Sequence, residues 1–368
     1  MAELLKHIYN TSFFESYSDV LSDIIPGFDN RSFKASFTTP HWESLELKQR
    51  MAYLAHITDK LLPEPYPEKA ETILLLIDAL RKRGVRDQNL EYSFLADIIA
   101  EHGLYDLKTS IYAIEHITQF VSFEFAGRLF FIRYPAEMME QMLIWATHPN
   151  ANVRRYASEG CRPRLPCGLQ LKSFVADPSP IIPILEVLAD DPSEYVRKSV
   201  ANNLNDISKD HPHMVINFIR KWQGTNDKTD KMLRQAARTL LKSGHQEVLS
   251  LFGNHQHIRF ELSDFSISKE SVQIGDDFTF YFELHNADSH PAAFRVEYII
   301  RYKKSKGQHS RKIFKIADKS LLSNEKVVFN RRHRFADLTT RKHYPGLHQI
   351  AIVINGKEEY PIDFKLSI

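Results

Sequence analysis

Cysteine is almost missing from this 368-residue chain, which has two, Cys161 and Cys167, with Pro163 and Pro166 between them. That pattern is neither a disulfide framework nor a zinc-ligand spacing, and it points to a reducing compartment. Glycine is scarce as well, at 13 residues. No Gly-rich phosphate loop, HExxH motif or Ser/His/Asp nucleophile signature is present, so P-loop and zincin chemistry have no footing here. His148, His211 and His213 lack metal-type spacing, and neither a metal nor a cofactor is expected. The longest apolar run, Ile73 to Ile77, is far too short to span a bilayer, and the opening MAELLKHIYN has no basic stretch leading into an apolar core. A cytoplasmic protein without a membrane partner is the expectation. Nor is there a surplus of one charge: 48 basic against 46 acidic residues demand no anionic partner. Only the stretch from residue 258 onward is basic, with 19 Lys/Arg against 14 Asp/Glu.

What the chain does have is a repeat. HPNANVRRYASEG (148–160) and DPSEYVRKSVANN (191–203) place Pro149 and Pro192, Val153 and Val196, and Arg154 and Arg197 43 residues apart. A worn third copy, TDKMLRQAARTLLK, puts Leu233 and Arg234 where the Val-Arg pair falls. Repeats of roughly 40–47 residues built from paired helices are the signature of HEAT-like solenoids. Upstream, Pro40 opens a stretch in which Leu45, Met51, Leu54, Ile57 and Leu61 follow a helical period, and ETILLLIDALRK continues it. Further helices are expected over 90–101, 105–118, 122–134 and 137–148. Trp145 and Trp222 fall on apolar helical faces and read as core.

After Phe252 the period changes to two. IRFEL, FTFYFEL, FRVEYIIRY, RKIFKI, KVVFNRRHRF and HQIAIVIN are separated by turn residues, which predicts seven or eight short strands. The expected architecture is a multidomain α + β chain: a HEAT-like α-helical solenoid over 1–254, then an immunoglobulin-like β-sandwich over 258–368. The hairpin KKSKGQHSRK (303–312) reads either as a solvated tip protecting a sheet edge or as a nucleic-acid contact through Lys303, Lys304 and Lys306.

Residues 118–212 resemble the HEAT-like DNA alkylation repair glycosylases, in particular the AlkC branch that ends in an immunoglobulin-like domain. The matching strings are FVSFEFAGRLFF, WATHPNANVRRYASEGCRPRLP and DDPSEYVRKSVANNLNDISKDHP. The resemblance implies a monomeric enzyme of the bacterial cytoplasm, at the nucleoid when bound to DNA. It would excise N3-alkylated bases such as 3-methyladenine from double-stranded DNA, without metal or cofactor and without base flipping. It also implies site residues: Glu159, Glu124 and Asp206 as the acids, with Asp206 helping to position water. An ionised carboxylate near the anomeric carbon stabilises the sugar cation that forms as the bond to a cationic base breaks.

Each acid also has a bland reading. Glu124 is four residues before Arg128, an ion-pair spacing if both lie on one helix, and Asp206 is placed to cap the helix that Pro212 helps to begin. Arg154 and Arg197 read as ties between repeats, reaching acids such as Asp190 or Asp191. Arg162 and Arg164 in the prolyl loop, with Arg155 and Lys198, are better placed to meet the substrate strand. Lys172, Arg234, Arg238 and Lys242 extend that track, the alternative being a solvated face. Two departures from the family pattern stand out: Cys167 occupies the position of an aromatic that packs on the damaged nucleotide, and Leu129 stands where proline is usual. Three readings follow: a glycosylase, a weak or inactive binder of damaged, bent or branched DNA, and a scaffold for a protein partner.

Overall fold

The computed structural model describes residues 4–255, 257–337 and 342–367. Two compact units share the chain, one formed by 1–215 with 222–236 and the other by 216–221 with 237–368. The helical region precedes the strands, and no helix among the described residues is long and apolar enough to cross a membrane.

In the first unit the repeat is built from three helices, Ala151–Glu159, Glu194–Ile207 and Asp227–Ala236, with the second packed against both others. Equivalent bonds start the first two. His148 Nδ1 accepts from the Asn150 N–H at 3.0 Å, and Asp191 Oδ1, one repeat on, accepts from the Ser193 N–H at 2.8 Å. Arg154 donates to the His148 and Pro149 carbonyls, and Arg197 donates to those of Asp191 and Pro192. Arg154 also reaches the Asp191 carboxylate of the next repeat, at 2.6 and 3.1 Å. These two arginines therefore tie turns and repeats together.

The third copy sits in another register than the one expected. Asn226 caps its helix through the Lys228 and Thr229 N–H groups, so Thr229 falls three residues past the cap, as Val153 and Val196 do in their repeats. Leu233 lies one turn further along. Thr229 is fully buried and donates to Asp190 at 2.8 Å, giving a polar side chain the place of valine. Trp145 is core, with its indole N–H on Glu115 at 2.6 Å. Trp222 is only half-buried, which corrects its core reading.

The helix expected over 122–134 is confined to Arg128–Arg133, and 124–127 form a turn. Gly127 explains why the turn fits. A Cβ there would overlap the hydroxyl of Tyr156, a fully buried residue of the helix Ala151–Glu159. Gly127→Ala is expected to force Tyr156 and the turn apart, costing about 1–3 kcal/mol by overpacking. Thermal unfolding checks this, and an unchanged transition temperature would contradict it.

The second unit contains the strands β1 (Phe260–Ile267), β2 (Ser271–Gln273), β3 (Asp277–Asn286), β4 (Ala292–Lys303), β5 (His309–Leu321), β6 (Lys326–Arg334), β7 (Gly346–Ile354) and β8 (Lys357–Ser367). They form a three-stranded sheet in the order β1-β3-β6 and a five-stranded sheet in the order β2-β8-β7-β4-β5. Alternate residues of β3 (Phe278, Phe280, Phe282, Leu284) meet Val296, Ile300, Ile350, Ile352 and Phe364 in one apolar core. This is the immunoglobulin-like sandwich that the period-two segments predict.

Candidate functional site

The three acids singled out in the sequence lie in one row of alternating charge within the first unit. Glu124 begins it, accepting from Arg155 through Oε2 at 2.8 Å and Oε1 at 3.3 Å, and Arg155 has Glu159 Oε1 at 3.6 Å on its other side. Glu159 Oε1 accepts from Arg162 at 2.6 Å, and its Oε2 accepts from the Ser199 hydroxyl at 2.6 Å. Arg162 then reaches Asp206 Oδ2 through Nε at 2.9 Å and Nη2 at 2.8 Å. Lys209, 3.0 Å from Asp206 Oδ1, closes the row. Three carboxylates thus face three cations, which is how buried charge is tolerated.

The carboxylates deepen along the row, and Lys209 returns to the surface at 41% exposure. Side-chain exposure is 11% for Glu124 and 14% for Arg155, but 7% for Glu159, 6% for Arg162 and 3% for Asp206. Among the three acids, Glu124, beside Arg155, is the most accessible. There Arg155 also packs over the Tyr195 ring, 5.0 Å from its centroid. Burial works against the Arg155 charge, but Glu124 and Glu159 outweigh it and hold the guanidinium above its ordinary pKa.

Two expected partnerships change. Glu124 is not paired with Arg128, because it sits on the turn before that helix rather than on the helix itself. Arg128 is fully buried and donates instead to three carbonyls: Gly160 at 2.9 Å, Arg162 at 2.8 Å and Leu169 at 2.8 Å. With carbonyls rather than a carboxylate bonded to it, burial pushes its pKa down to about 10. Among the described residues Asp206 accepts from Arg162 and Lys209 rather than from the start of a helix, so it anchors Arg162.

Arg128 organises the prolyl loop from behind. In front, Cys167 is exposed and takes a left-handed backbone conformation, φ 62°, which costs a non-glycine residue energy. Arg164 pairs with Asp210 at 2.8 and 2.9 Å and holds that carboxyl below its usual pKa. Lys172 is exposed at the start of the short helix Lys172–Ala176. Lys198 is 61% exposed, 3.8 Å from Glu194, and lines a groove of about 320 Å³ with Arg197, Lys228 and Lys231. Half-buried Arg234 belongs to the first unit, whereas Arg238 and Lys242 belong to the second. Lys303, Lys304 and Lys306 stand at the β4–β5 hairpin.

Tyr195, Ser199, Lys209, Lys228 and Lys231 were not singled out in the sequence. Spacing carried part of the signal: Tyr195, Ser199 and Asp206 recur at helical intervals, as Arg155, Glu159 and Arg162 do.

Paired helices carrying buried acids between arginines, followed by an immunoglobulin-like sandwich, define a two-domain helical-repeat protein. Residues 46–240 match the family model described as "DNA alkylation repair enzyme", and residues 261–368 match "Uncharacterised protein YhaZ, C-terminal Ig-like domain". The chain is 38% identical over 362 residues to the Bacillus subtilis (strain 168) protein "Uncharacterized protein YhaZ", covering 98% of this chain and 99% of the relative. Its structure is similar to that of Pseudomonas fluorescens alkylpurine DNA glycosylase AlkC bound to DNA containing an abasic site analog. That match has a TM-score of 0.92 and 33% identity, and it covers 100% of both chains. The chain belongs to the DNA alkylation repair enzyme family, and it has the fold of the alkylpurine glycosylase AlkC with its C-terminal immunoglobulin-like domain.

Proposed function

We propose that this protein is a DNA glycosylase of base excision repair. It hydrolyses the N-glycosidic bond of cationic N3-alkylated bases, of the 3-methyladenine type, in double-stranded DNA, without flipping the base and without metal or cofactor. It acts as a monomer in the bacterial cytoplasm. The observation that carries this reading is the row in which Arg155 and Arg162 bring Glu124, Glu159 and Asp206 together.

A base methylated at N3 is positively charged and already a good leaving group. The enzyme need only offset the charge that develops on the sugar and admit water. A preplaced carboxylate in a partly dry site lowers such a barrier by about 3–4 kcal/mol, the scale lost when one electrostatic donor is removed elsewhere. Glu124, the most exposed of the three acids, meets the sugar cation first, and Glu159 supports it through the shared Arg155. A phosphate of the strand competes for Arg155 and loosens its hold on Glu124, so substrate binding frees the acid that the resting protein keeps paired. Each phosphate held by a cation adds about one unit to the salt slope of binding.

The test is release of 3-methyladenine from a methylated duplex. The expected result is release by the wild type, at least tenfold slower release by Glu124→Gln, and duplex binding that stays within twofold. A second reading rests on Cys167, which supplies no aromatic face to the nucleotide. If neither the wild type nor Cys167→Trp releases any base while both bind DNA, the protein is a non-catalytic binder of damaged or bent DNA.

A further inference from the structure

The β4–β5 hairpin gathers positive charge that the row of acids does not use. A cavity of about 370 Å³ beside it is lined by Lys303 and Lys304 from the end of β4 and its turn, Arg311 and Lys312 from β5, and Lys342 and His343 ahead of β7. Lys306, at the tip of the hairpin, is not part of the lining. No acidic side chain among the described residues lines the cavity. Glu358 lies 3.9 Å from Arg311 but 2.6 Å from Arg301, so its charge is mostly committed outside the cavity. Lys303 and Lys304 form no ion pair among the described residues.

The floor is built rather than accidental. The Tyr302 hydroxyl is bonded to His333 Nε2 at 2.9 Å, and Tyr298 holds the other ring nitrogen at 2.9 Å. Lys303 lies across Gly346 so closely that a side chain there would collide with it. The His343 side chain is 2% exposed, with Nδ1 on Asp337 at 3.1 Å, and its Nε2 is buried with no partner. A cavity rimmed by five cations with no acid in its lining is a favourable place for an anion.

The amount of charge indicates which anion. An internal phosphodiester brings one negative charge, whereas a phosphomonoester brings about 1.5–2 and three strong acceptor oxygens. Arginine and lysine both match such a group. We propose that this cavity is a binding site for a phosphomonoester, carried either on the 5′ end of a DNA strand or on a free nucleotide. The proposal stands apart from the glycosylase reading.

The full-length protein is titrated with an undamaged duplex bearing 5′-phosphates, with the same duplex bearing 5′-hydroxyls, and with AMP. The phosphorylated duplex is expected to bind about tenfold tighter than its hydroxyl counterpart, the order of gain from charge-assisted hydrogen bonds. The double variant Lys304→Ala/Arg311→Ala erases that difference, whereas Lys269→Ala, an exposed cation of the same unit, keeps it. Equal binding of the two duplexes, with AMP binding that the double variant loses, identifies the free nucleotide as the source and upholds the site. If neither 5′-phosphate nor AMP is preferred, or if the preference survives the double variant with unchanged thermal unfolding, the proposal is overturned. Because the duplex is undamaged, this outcome is independent of base release.

Discussion

Glu159→Gln is expected to slow release of 3-methyladenine by about 10²–10³-fold, the loss seen when one preorganised electrostatic group is removed from an active site. Glutamine keeps the shape of the side chain and still accepts a hydrogen bond through one oxygen. It cannot accept at both ends, where Arg162 and Ser199 now donate at 2.6 Å each. The amide nitrogen meets one of those donors, and the negative charge between Arg155 and Arg162 disappears. Single-turnover kinetics on a methylated duplex separate this effect from binding, which changes little because Glu159 is buried. A rate within threefold of the wild type would remove Glu159 from the reaction.

Arg162→Ala should have the largest effect on stability. Arg162 is the common partner of Glu159 and Asp206, all three of them buried. Its removal leaves two carboxylates short of counter-charge, a loss of about 3–5 kcal/mol for breaking a buried pair. The helical unit should then melt roughly 10 °C lower. The variant's deficit has a definite pH sign. A buried carboxyl without its partner has its folded pKa raised, so it is penalised only while ionised, and the deficit narrows as pH falls. Adding Glu159→Gln to Arg162→Ala removes one stranded charge and should recover part of the lost melting temperature. If the double variant is no more stable than Arg162→Ala, packing rather than charge accounts for the loss.

The repeat and the change of period after Phe252 could be read from the sequence because each depends on local spacing, whereas the three acids were singled out through the family resemblance. One interval of 43 residues, shared by three residue pairs, placed the helices Ala151–Glu159 and Glu194–Ile207 in equivalent roles, and the alternating segments located six of the eight strands. The strand β8 was missed because KEEYPIDFKLS contains Pro361 and several charges, and its register with β7 shifts near Ile350. The partners of the acids were less legible. An interval of four between Glu124 and Arg128 suggests an ion pair only on a helix. Residues 124–127 form a turn instead, in which Gly127 packs against Tyr156, 29 positions further along the chain. Ser199 and Lys209 reach the row only because the second repeat helix stacks on the first. The third copy slipped in register because Thr229 fills the valine position with a hydroxyl satisfied by Asp190.

A row in which negative and positive groups alternate one for one projects little field beyond its own ends. An undamaged base is neutral and offers the row nothing in exchange for a guanidinium. A base made cationic by alkylation can replace that guanidinium as the neighbour of Glu124. On the proposed reaction, selectivity then begins as an exchange of counter-ions: any strand offers phosphates to Arg155, but only a lesion brings a positive charge of its own to take the guanidinium's place beside Glu124.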